Sequence, residues 1–213
     1  MSFEQLQPGQ VISLGRYPQG ANGEVQPIEW QVLEVADDRA LLLSRHVLDC
    51  APYHSEQTVV RWENSRLRQW LLEDFMSAAF SEDDLAHICR PEAANDPAGE
   101  LLWQMFGMET TTGTISDPVF LLAQADILRL FPGGDNMFCP GAGAAMTPWV
   151  AANHPDMDEM NGHVSWWLRS SFNSMPFACI VSPVESNGVS GISPYTAQGV
   201  RPAVWVRLNT PAT

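Results

Sequence analysis

The sequence predicts an α+β fold with a mixed, largely antiparallel sheet, one main amphipathic helix and long loops. Two observations support this prediction. Short strand-like runs occur at both ends of the chain, and a single long apolar helical face occupies residues 64–79. We therefore expect strands from both ends to share the sheet, with the helix packed against them.

The N-terminal third is predicted to be β. Val11–Tyr17 forms a first strand, which ends in a loop rich in Gly, Asn and Pro at residues 18–27. Residues 28–32 alternate between apolar and polar types, as a half-buried strand requires. A short polar segment at residues 36–39 then leads into the apolar run at residues 40–43, so these two strands are predicted to form a hairpin.

Two helices are predicted next. Asn64 or Ser65 is a suitable N-cap for the main helix, and Ser81, followed by three acidic residues, is a suitable N-cap for a second, short one. The apolar face of the main helix repeats at helical spacing and consists of Leu67, Trp70, Leu71, Phe75, Ala78 and Ala79.

The middle of the chain reads as loops around short elements. Pro91–Thr114 and Gly133–Gly162 lack periodicity and are predicted to be long loops. Between them, Val119–Leu122 is predicted as a buried strand and Asp126–Phe131 as a brief helical turn.

The C-terminal third is again predicted to be β. Asn187-Gly188 offers a tight turn between the middle two of its four strands. The predicted strands are Trp166–Arg169, Phe177–Val181, Val189–Ile192 and Val200–Leu208.

Composition limits the classes of partner. The 213 residues favour a single domain over residues 1–213, and a net charge of −14 argues against a nucleic-acid partner. The chain contains no apolar run long enough to span a membrane and no secretory signal, so we expect a cytoplasmic protein. Its four cysteines are widely spaced and are expected to be reduced thiols.

A series of short motifs resembles a bacterial family, domain-of-unknown-function family 6273. The order of the motifs makes the resemblance specific, although each piece is short. They are Ile28-Glu29-Trp30-x-Val32-Leu33, Ala40-Leu41-Leu42-Leu43-Ser44, Leu48-Asp49-x-x-Pro52-Tyr53, Trp62-Glu63-Asn64-Ser65-x-Leu67-Arg68-x-Trp70-Leu71, Phe80-Ser81, Val119-Phe120-Leu121-Leu122, Trp166-Trp167-Leu168-Arg169-Ser170 and Gly199-Val200-Arg201-Pro202-Ala203.

The last two motifs also resemble, more remotely, the C-type-lectin-like fold of formylglycine-generating enzymes and of variable proteins diversified by retroelements. In that fold a Trp-containing strand and a closing Gly-x-Arg strand pair around loops that present the ligand face. The resemblance implies the same frame here, with any function in the loops between residues 171 and 198.

Four residues of this frame allow two interpretations. Trp166, Trp167, Arg169 and Arg201 could form an aromatic and guanidinium pocket for an anionic or sugar ligand. Alternatively, they form a structural frame in which the Trp pair is packed in the core and the arginines bond loop carbonyls or buried acids. We favour the structural frame because large aromatic side chains are usually buried for packing.

Two segments contain metal-ligand residue types without an established motif, and we expect neither a metal nor another cofactor. The first holds His46, Asp49, Cys50 and His54. The second, Asp156-x-Asp158-x-x-Asn161-Gly162, hints at calcium, but its Gly lies one place late for an EF-hand and the bidentate Glu is missing.

The favoured function is a non-enzymatic module that binds a protein, glycan or small ligand through loops at residues 171–176 and 185–198. Its predicted ligand-binding residues are Phe172, Asn173, Asn187 and Tyr195, because turn-rich loops on rigid scaffolds concentrate binding residues. No catalytic residue is assigned. One alternative is a metal-dependent or Cys179-dependent enzyme related to formylglycine-generating oxidases, with Gly133–Gly162 as a lid; another is a purely structural interaction domain.

Overall fold

The computed structural model describes residues 3, 5–90, 93–94, 114–131, 139–157, 159–172, 175–183 and 188–208. In these ranges the chain is α+β with largely antiparallel strand pairing, as the sequence predicts. None of the helices in the described part of the chain is both long and apolar enough to cross a membrane.

The first sheet joins the two ends of the chain. Its strand order is β1-β2-β3-β15-β5, and β8 also pairs with β15; every pairing is antiparallel. The strands are β1 (Val11–Pro18), β2 (Val25–Ala36), β3 (Arg39–Ser44), β5 (Ile88–Cys89), β8 (Val119–Phe120) and β15 (Ala203–Arg207).

Burial follows the predicted pattern in the hairpin of β2 and β3. Ile28, Trp30 and Val32 have no exposed surface, and the indole Nε1 of Trp30 donates a 2.8 Å hydrogen bond to the carbonyl of Leu14. Residues 40–43 are all buried, and since successive side chains of a strand point to opposite faces, both faces of β3 are covered.

The second sheet is built from the C-terminal third and one early strand. Its order is β13-β12-β11-β14-β4, in which β11 and β14 run parallel and the other neighbours are antiparallel. The strands are β4 (Asp49–Pro52), β11 (Trp166–Ser171), β12 (Ala178–Val181), β13 (Val189–Ile192) and β14 (Ala197–Val200).

The predicted strand Val200–Leu208 is divided between the two sheets. Pro202 lacks an N–H and separates β14 from β15, while its carbonyl accepts a 2.9 Å hydrogen bond from the amide of Ser44. The amide of Leu48 donates to the carbonyl of Val200 at 3.0 Å. Two of the connections between the sheets, at residues 45–48 and 201–202, therefore lie side by side.

The predicted main helix packs against these strands in three consecutive parts. Ser65 is its N-cap, and the Oγ atom of Ser65 accepts a 3.1 Å hydrogen bond from the amide of Arg68. The parts are α1 (Arg66–Trp70), a π-helical turn (Leu71–Phe75) and α2 (Met76–Ala79). Its buried side chains are Leu67, Leu71, Phe75 and Ala79.

A glycine lets the first strand approach the end of this helix. Gly15 has a φ of +67°, in a segment where the register between β1 and β2 shifts. A Cβ atom at Gly15 would lie 2.5 Å from the carbonyl oxygen of Ala79. Glycine is required here for both its conformation and its size.

Two further short helices follow. The predicted second helix is α3 (Glu82–His87), with Ser81 and Asp84 forming a capping box. The predicted helical turn is α4 (Gln124–Leu130), where Asp126 accepts a 2.8 Å hydrogen bond from the amide of Ala123.

The prediction of a loop at Gly133–Gly162 was wrong for the residues of this range that the structure describes, because they include a 3₁₀ turn, a helix and one strand of a hairpin. Thr147 caps the helix α5 (Pro148–Asn153), with Pro148 in its first turn, and a 3₁₀ turn spans Pro140–Ala142. Asn161 and Gly162, with φ values of +55° and +80°, form the turn between β9 (Glu159–Met160) and β10 (His163–Val164).

Two other predictions fall partly outside the described residues. Most of the loop predicted at Pro91–Thr114 lies outside the described residues. Near the two ends of this loop, β6 (Ala93–Ala94) pairs with β7 (Thr114–Ile115). Asn187 of the predicted tight turn also lies outside them. The amide of Ser182 donates to the carbonyl of Gly188, so residues 182–188 connect the paired strands β12 and β13.

Candidate functional site

The two tryptophans of the C-terminal frame are both fully buried. Trp166 and Trp167 begin β11, and neither has exposed surface. Their indole Nε1 atoms donate to different carbonyls, Trp166 to Ala142 at 3.2 Å and Trp167 to Ala51 at 2.8 Å. Neither ring is available to stack on a ligand.

The two arginines of the frame are also buried and bonded within the protein. Arg169 is 3% exposed, and its Nη1 atom lies 2.8 Å from both the carboxylate of Asp126 and the carbonyl of Leu121. Arg201 is 2% exposed, and it donates from Nε to the carbonyl of Ser44 and from Nη1 to that of Ala142. These contacts fix the positions of both guanidinium groups below the surface.

The guanidinium of Arg201 remains charged at neutral pH despite its burial. Desolvation lowers the pKa of Arg201 to about 9. Its charge is compensated by carbonyl dipoles and by the face of Trp166, whose ring centroid lies 5.0 Å away. This arrangement orders the crossing between the two sheets.

The predicted ligand-binding residues occupy different environments. Phe172 is 8% exposed and lies 6.0 Å from Phe177, centroid to centroid. Its ring also covers Gly191, where an added Cβ would lie 2.7 Å from it. Tyr195 is 54% exposed. Asn173 and Asn187 lie outside the described residues.

A cavity of about 710 Å³ lies on one face of the second sheet. Its floor comes from four strands of that sheet and the residue that precedes β11. The floor residues include Cys50, Ser165, Ile180, Ser190, Ile192 and Gln198. This volume is in the usual range for a small-molecule site.

The cavity wall comes from the end of α5 and the segment that follows it. Asn153 is the last residue of α5, His154, Asp156 and Met157 lie between α5 and β9, and Glu159 lies in β9 itself. Two short elements therefore fix this wall, the helix capped by Thr147 and the hairpin that turns at residues 161–162.

The site combines part of the predicted loop region with a wall that was not predicted. Residues 190–192 and 197–198 line the cavity and fall inside the predicted loop at residues 185–198, whereas Ile180, Ser182 and Pro183 line it from outside the predicted loops. Phe172 and Tyr195 do not line it. The wall was missed because residues 133–162 were interpreted as a loop. Thr147-Pro148 and Asn161-Gly162 were the signals that could have located it.

Cys50 is the thiol at the floor of this cavity. Burial, with the nearby Asp49 carboxylate as a second cause, raises the pKa of Cys50 to about 12. The thiol is therefore protonated at neutral pH and is a poor nucleophile. Cys179 on β12, the residue of the enzyme alternative, has no exposed surface at all.

The fold uses the carboxylate of Asp49, which belongs to the first segment of metal-ligand residue types. Asp49 accepts hydrogen bonds from the hydroxyl of Tyr17 at 2.6 Å and from the amide of Cys50 at 2.7 Å. The described ranges contain no group of three or more His, Cys, Asp or Glu side chains arranged to hold a metal ion. Asp158 of the calcium-like segment lies outside those ranges.

A family match begins just after β2 and spans the second sheet and the residues that line the cavity. Residues 37–208 match the family described as Domain of unknown function (DUF6273). No curated protein and no solved structure gives a significant match to the chain. Because the family match covers most of the sequence, the chain belongs to the DUF6273 family.

Proposed function

We propose that the protein is a non-enzymatic binding module that holds a small ligand in the cavity on its second sheet. The observation that carries this proposal is the cavity itself, with a floor of hydrogen-bonded strands and a wall set by a capped helix and a hairpin. A site built on rigid elements binds without a large ordering cost.

The chemistry of the lining supports binding of a partly polar molecule. Ile180 and Ile192 supply apolar surface, while Ser190, Gln198 and Asn153 supply hydroxyl and amide groups. Ligand sites in proteins typically combine apolar walls with a few polar groups that fix orientation.

The protonation state of the Cys50 thiol supports the non-enzymatic part of this proposal. Its pKa of about 12 leaves little thiolate at neutral pH, so the thiol at the floor contributes contact surface rather than nucleophilic chemistry.

We further propose that the frame is C-type-lectin-like. This is supported by the parallel pairing of Trp166 in β11 with Gly199 in β14, which joins the Trp-containing strand to the closing Gly-x-Arg strand. Tyr195, exposed in the loop before β14, stays a predicted ligand contact at the outer surface. Asn173 and Asn187 also stay predicted ligand contacts. Phe172, which covers Gly191, supports the cavity floor from below.

A cytoplasmic location is proposed as well. All four cysteines are free, and Cys50, Cys139 and Cys179 are buried as thiols. Free thiols are typical of a reducing compartment.

An occluding substitution tests the binding site. Ser190 is exposed within the cavity, so Ser190→Trp fills it without disturbing the core; Val25→Trp, at a position 52% exposed on β2, is the matched control. The free amino acids, common monosaccharides and aromatic fragments are screened by amide chemical shifts. We expect at least one compound to shift the amide signals of Gly191 and Gln198. Ser190→Trp should abolish the binding of that compound, whereas Val25→Trp should not. The proposal is overturned by a panel without binders or by binding that Ser190→Trp leaves intact.

A further inference from the structure

We propose that the ligand of this cavity is a small organic cation, an amine attached to an apolar body. This inference rests on the proposed function, because it assigns a chemical class to the ligand of the same cavity. Three observations carry it: two carboxylates on the wall, the distribution of arginine along the chain, and the apolar part of the lining.

Asp156 and Glu159 are the carboxylates on the cavity wall. Both are exposed, and neither forms an ion pair with any residue that the structure describes. Asp156 precedes β9 and Glu159 begins it, and both line the same cavity. A cationic ligand in the cavity would therefore meet two carboxylates that the fold does not use.

The lining offers no arginine or lysine to compete with a cationic ligand, and its basic side chain is His154. All eleven basic residues are arginine, and Arg169 is the only one between positions 130 and 200. Arg169 is 3% exposed and bonded to Asp126. Every lining residue except Cys50 belongs to residues 153–198, so the lining contains no arginine or lysine.

The electrostatic preference of the site follows from this distribution. An anion would face two carboxylates without a guanidinium or ammonium group to bind it, in a chain whose net charge is −14. A cation is attracted both by the wall and by the field of the whole chain. The preference is sensitive to salt, because the carboxylates are exposed to solvent.

The apolar lining determines the rest of the ligand. Ile180 is 5% exposed, and Met157 and Ile192 are partly buried and pack against the core. They lie in the same cavity as the carboxylates. An ammonium group on a short hydrocarbon or aromatic body can contact both surfaces at once, whereas a bare metal ion would leave the apolar one unused.

Three probes of nearly equal size test the charge preference. Phenethylamine, 2-phenylethanol and phenylacetate are titrated at about pH 8, above the usual titration range of histidine side chains, and followed through the amide signals of Gly191 and Gln198. We expect the amine to bind at least tenfold more tightly than the alcohol, and phenylacetate to bind weakest.

Paired substitutions assign this preference to the wall. Asp156→Asn with Glu159→Gln is expected to reduce the affinity for phenethylamine to that for 2-phenylethanol. The control pair Glu82→Gln with Asp83→Asn removes the same charge from the exposed first turn of α3 and is expected to leave the affinity within about twofold.

The outcomes separate this inference from the proposed function. Equal binding of all three probes, or tighter binding of phenylacetate, overturns the cationic assignment while leaving a functional cavity. If phenethylamine binds the Asp156→Asn, Glu159→Gln variant as tightly as the wild type, these two carboxylates are not the source of the charge preference. Failure of phenethylamine to shift Gly191 or Gln198 overturns this inference, and the wider panel with Ser190→Trp then decides the proposed function separately.

Discussion

The guanidinium carbon of Arg201 lies 5.0 Å from the ring centroid of Trp166, and both side chains bond the same carbonyl, that of Ala142. A third bond, from the Nε atom of Arg201 to Ser44, reaches the end of β3. The pair thus connects the segment before α5 to both sheets. Trp166 and Arg201 belong to the two C-terminal sequence motifs, at residues 166–170 and 199–203, and their contact explains why these motifs matter to the fold.

We predict that Arg201→Met destabilises the protein although it preserves most of the side-chain volume. The carbonyls of Ser44 and Ala142 each lose a charged donor, and such losses cost about 1–3 kcal/mol. Arg201→Ala, which also leaves a cavity, is expected to cost more, about 3–5 kcal/mol in all. Urea unfolding monitored by tryptophan fluorescence measures both. An Arg201→Met variant as stable as the wild type would show that the buried charge costs as much as its bonds contribute.

The ion pair between Asp126 and Arg169 is predicted to stabilise the fold far more than an exposed pair. Asp126→Asn leaves the charge of Arg169 buried without its carboxylate, at a cost of about 3–5 kcal/mol. The control is Glu29→Gln, whose partner Arg45 is 53% exposed and whose loss should cost less than about 1 kcal/mol. Both are measured by chemical denaturation. Equal losses would mean that Asp126 acts only through its helix cap.

Gly199 is predicted to tolerate no side chain. A Cβ atom there would lie 2.6 Å from the carbonyl oxygen of Ser165 and 2.7 Å from Val47, at the point where β14 pairs with β11 and β4. Gly199→Ala should therefore cost about 3 kcal/mol, typical of overpacking.

The matched control for Gly199 is Gly162. Gly162 has a φ of +80°, and no atom lies within 4 Å of an added Cβ. Gly162→Ala should therefore lower the free energy of unfolding only by the backbone strain, about 1–2 kcal/mol. Thermal and urea unfolding compare the two. A Gly199→Ala variant no less stable than Gly162→Ala would contradict the proposed steric limit.

The sequence predicted elements better than it predicted the site. Strong local signals, such as the alternation at residues 28–32 and the Ser65 cap, gave β2 and the main helix correctly. The division at Pro202 depends on pairing with Ser44, a contact distant in sequence. The cavity depends on how residues 153–157 and 159–160 lie over the second sheet, which no local pattern determines.

Thiol labelling is predicted to distinguish Cys89 from the other three cysteines. Cys89 is half-buried at the edge of the first sheet, whereas Cys50, Cys139 and Cys179 are buried. With Ellman's reagent, one thiol should react in the native protein and all four in denaturant. Cys89→Ser should remove the fast phase. Rapid reaction of more than one thiol under native conditions would contradict the burial of the others.

Alkaline pH is predicted to destabilise the fold through Tyr17 and Cys50, which both lie beside Asp49. Burial, followed by the charge of Asp49, raises the pKa of Tyr17 well above its ordinary 10.0 and that of Cys50 from 9.0 to about 12. The folded protein therefore keeps both protons at pH values where the unfolded chain has lost them. This stability is fully present below pH 9.0, the ordinary Cys value, and is lost as pH rises toward the folded values.

The double variant Tyr17→Phe with Cys50→Ala isolates this effect, because neither new side chain ionises. The variant starts less stable at neutral pH, since it lacks the 2.6 Å hydrogen bond from Tyr17 to Asp49. Its free energy of unfolding should nevertheless fall less steeply than that of the wild type between about pH 9 and pH 11, because two groups no longer release protons on unfolding. Urea titrations across this range measure the slopes. Parallel curves would show that Tyr17 and Cys50 ionise at the same pH in the folded and unfolded states.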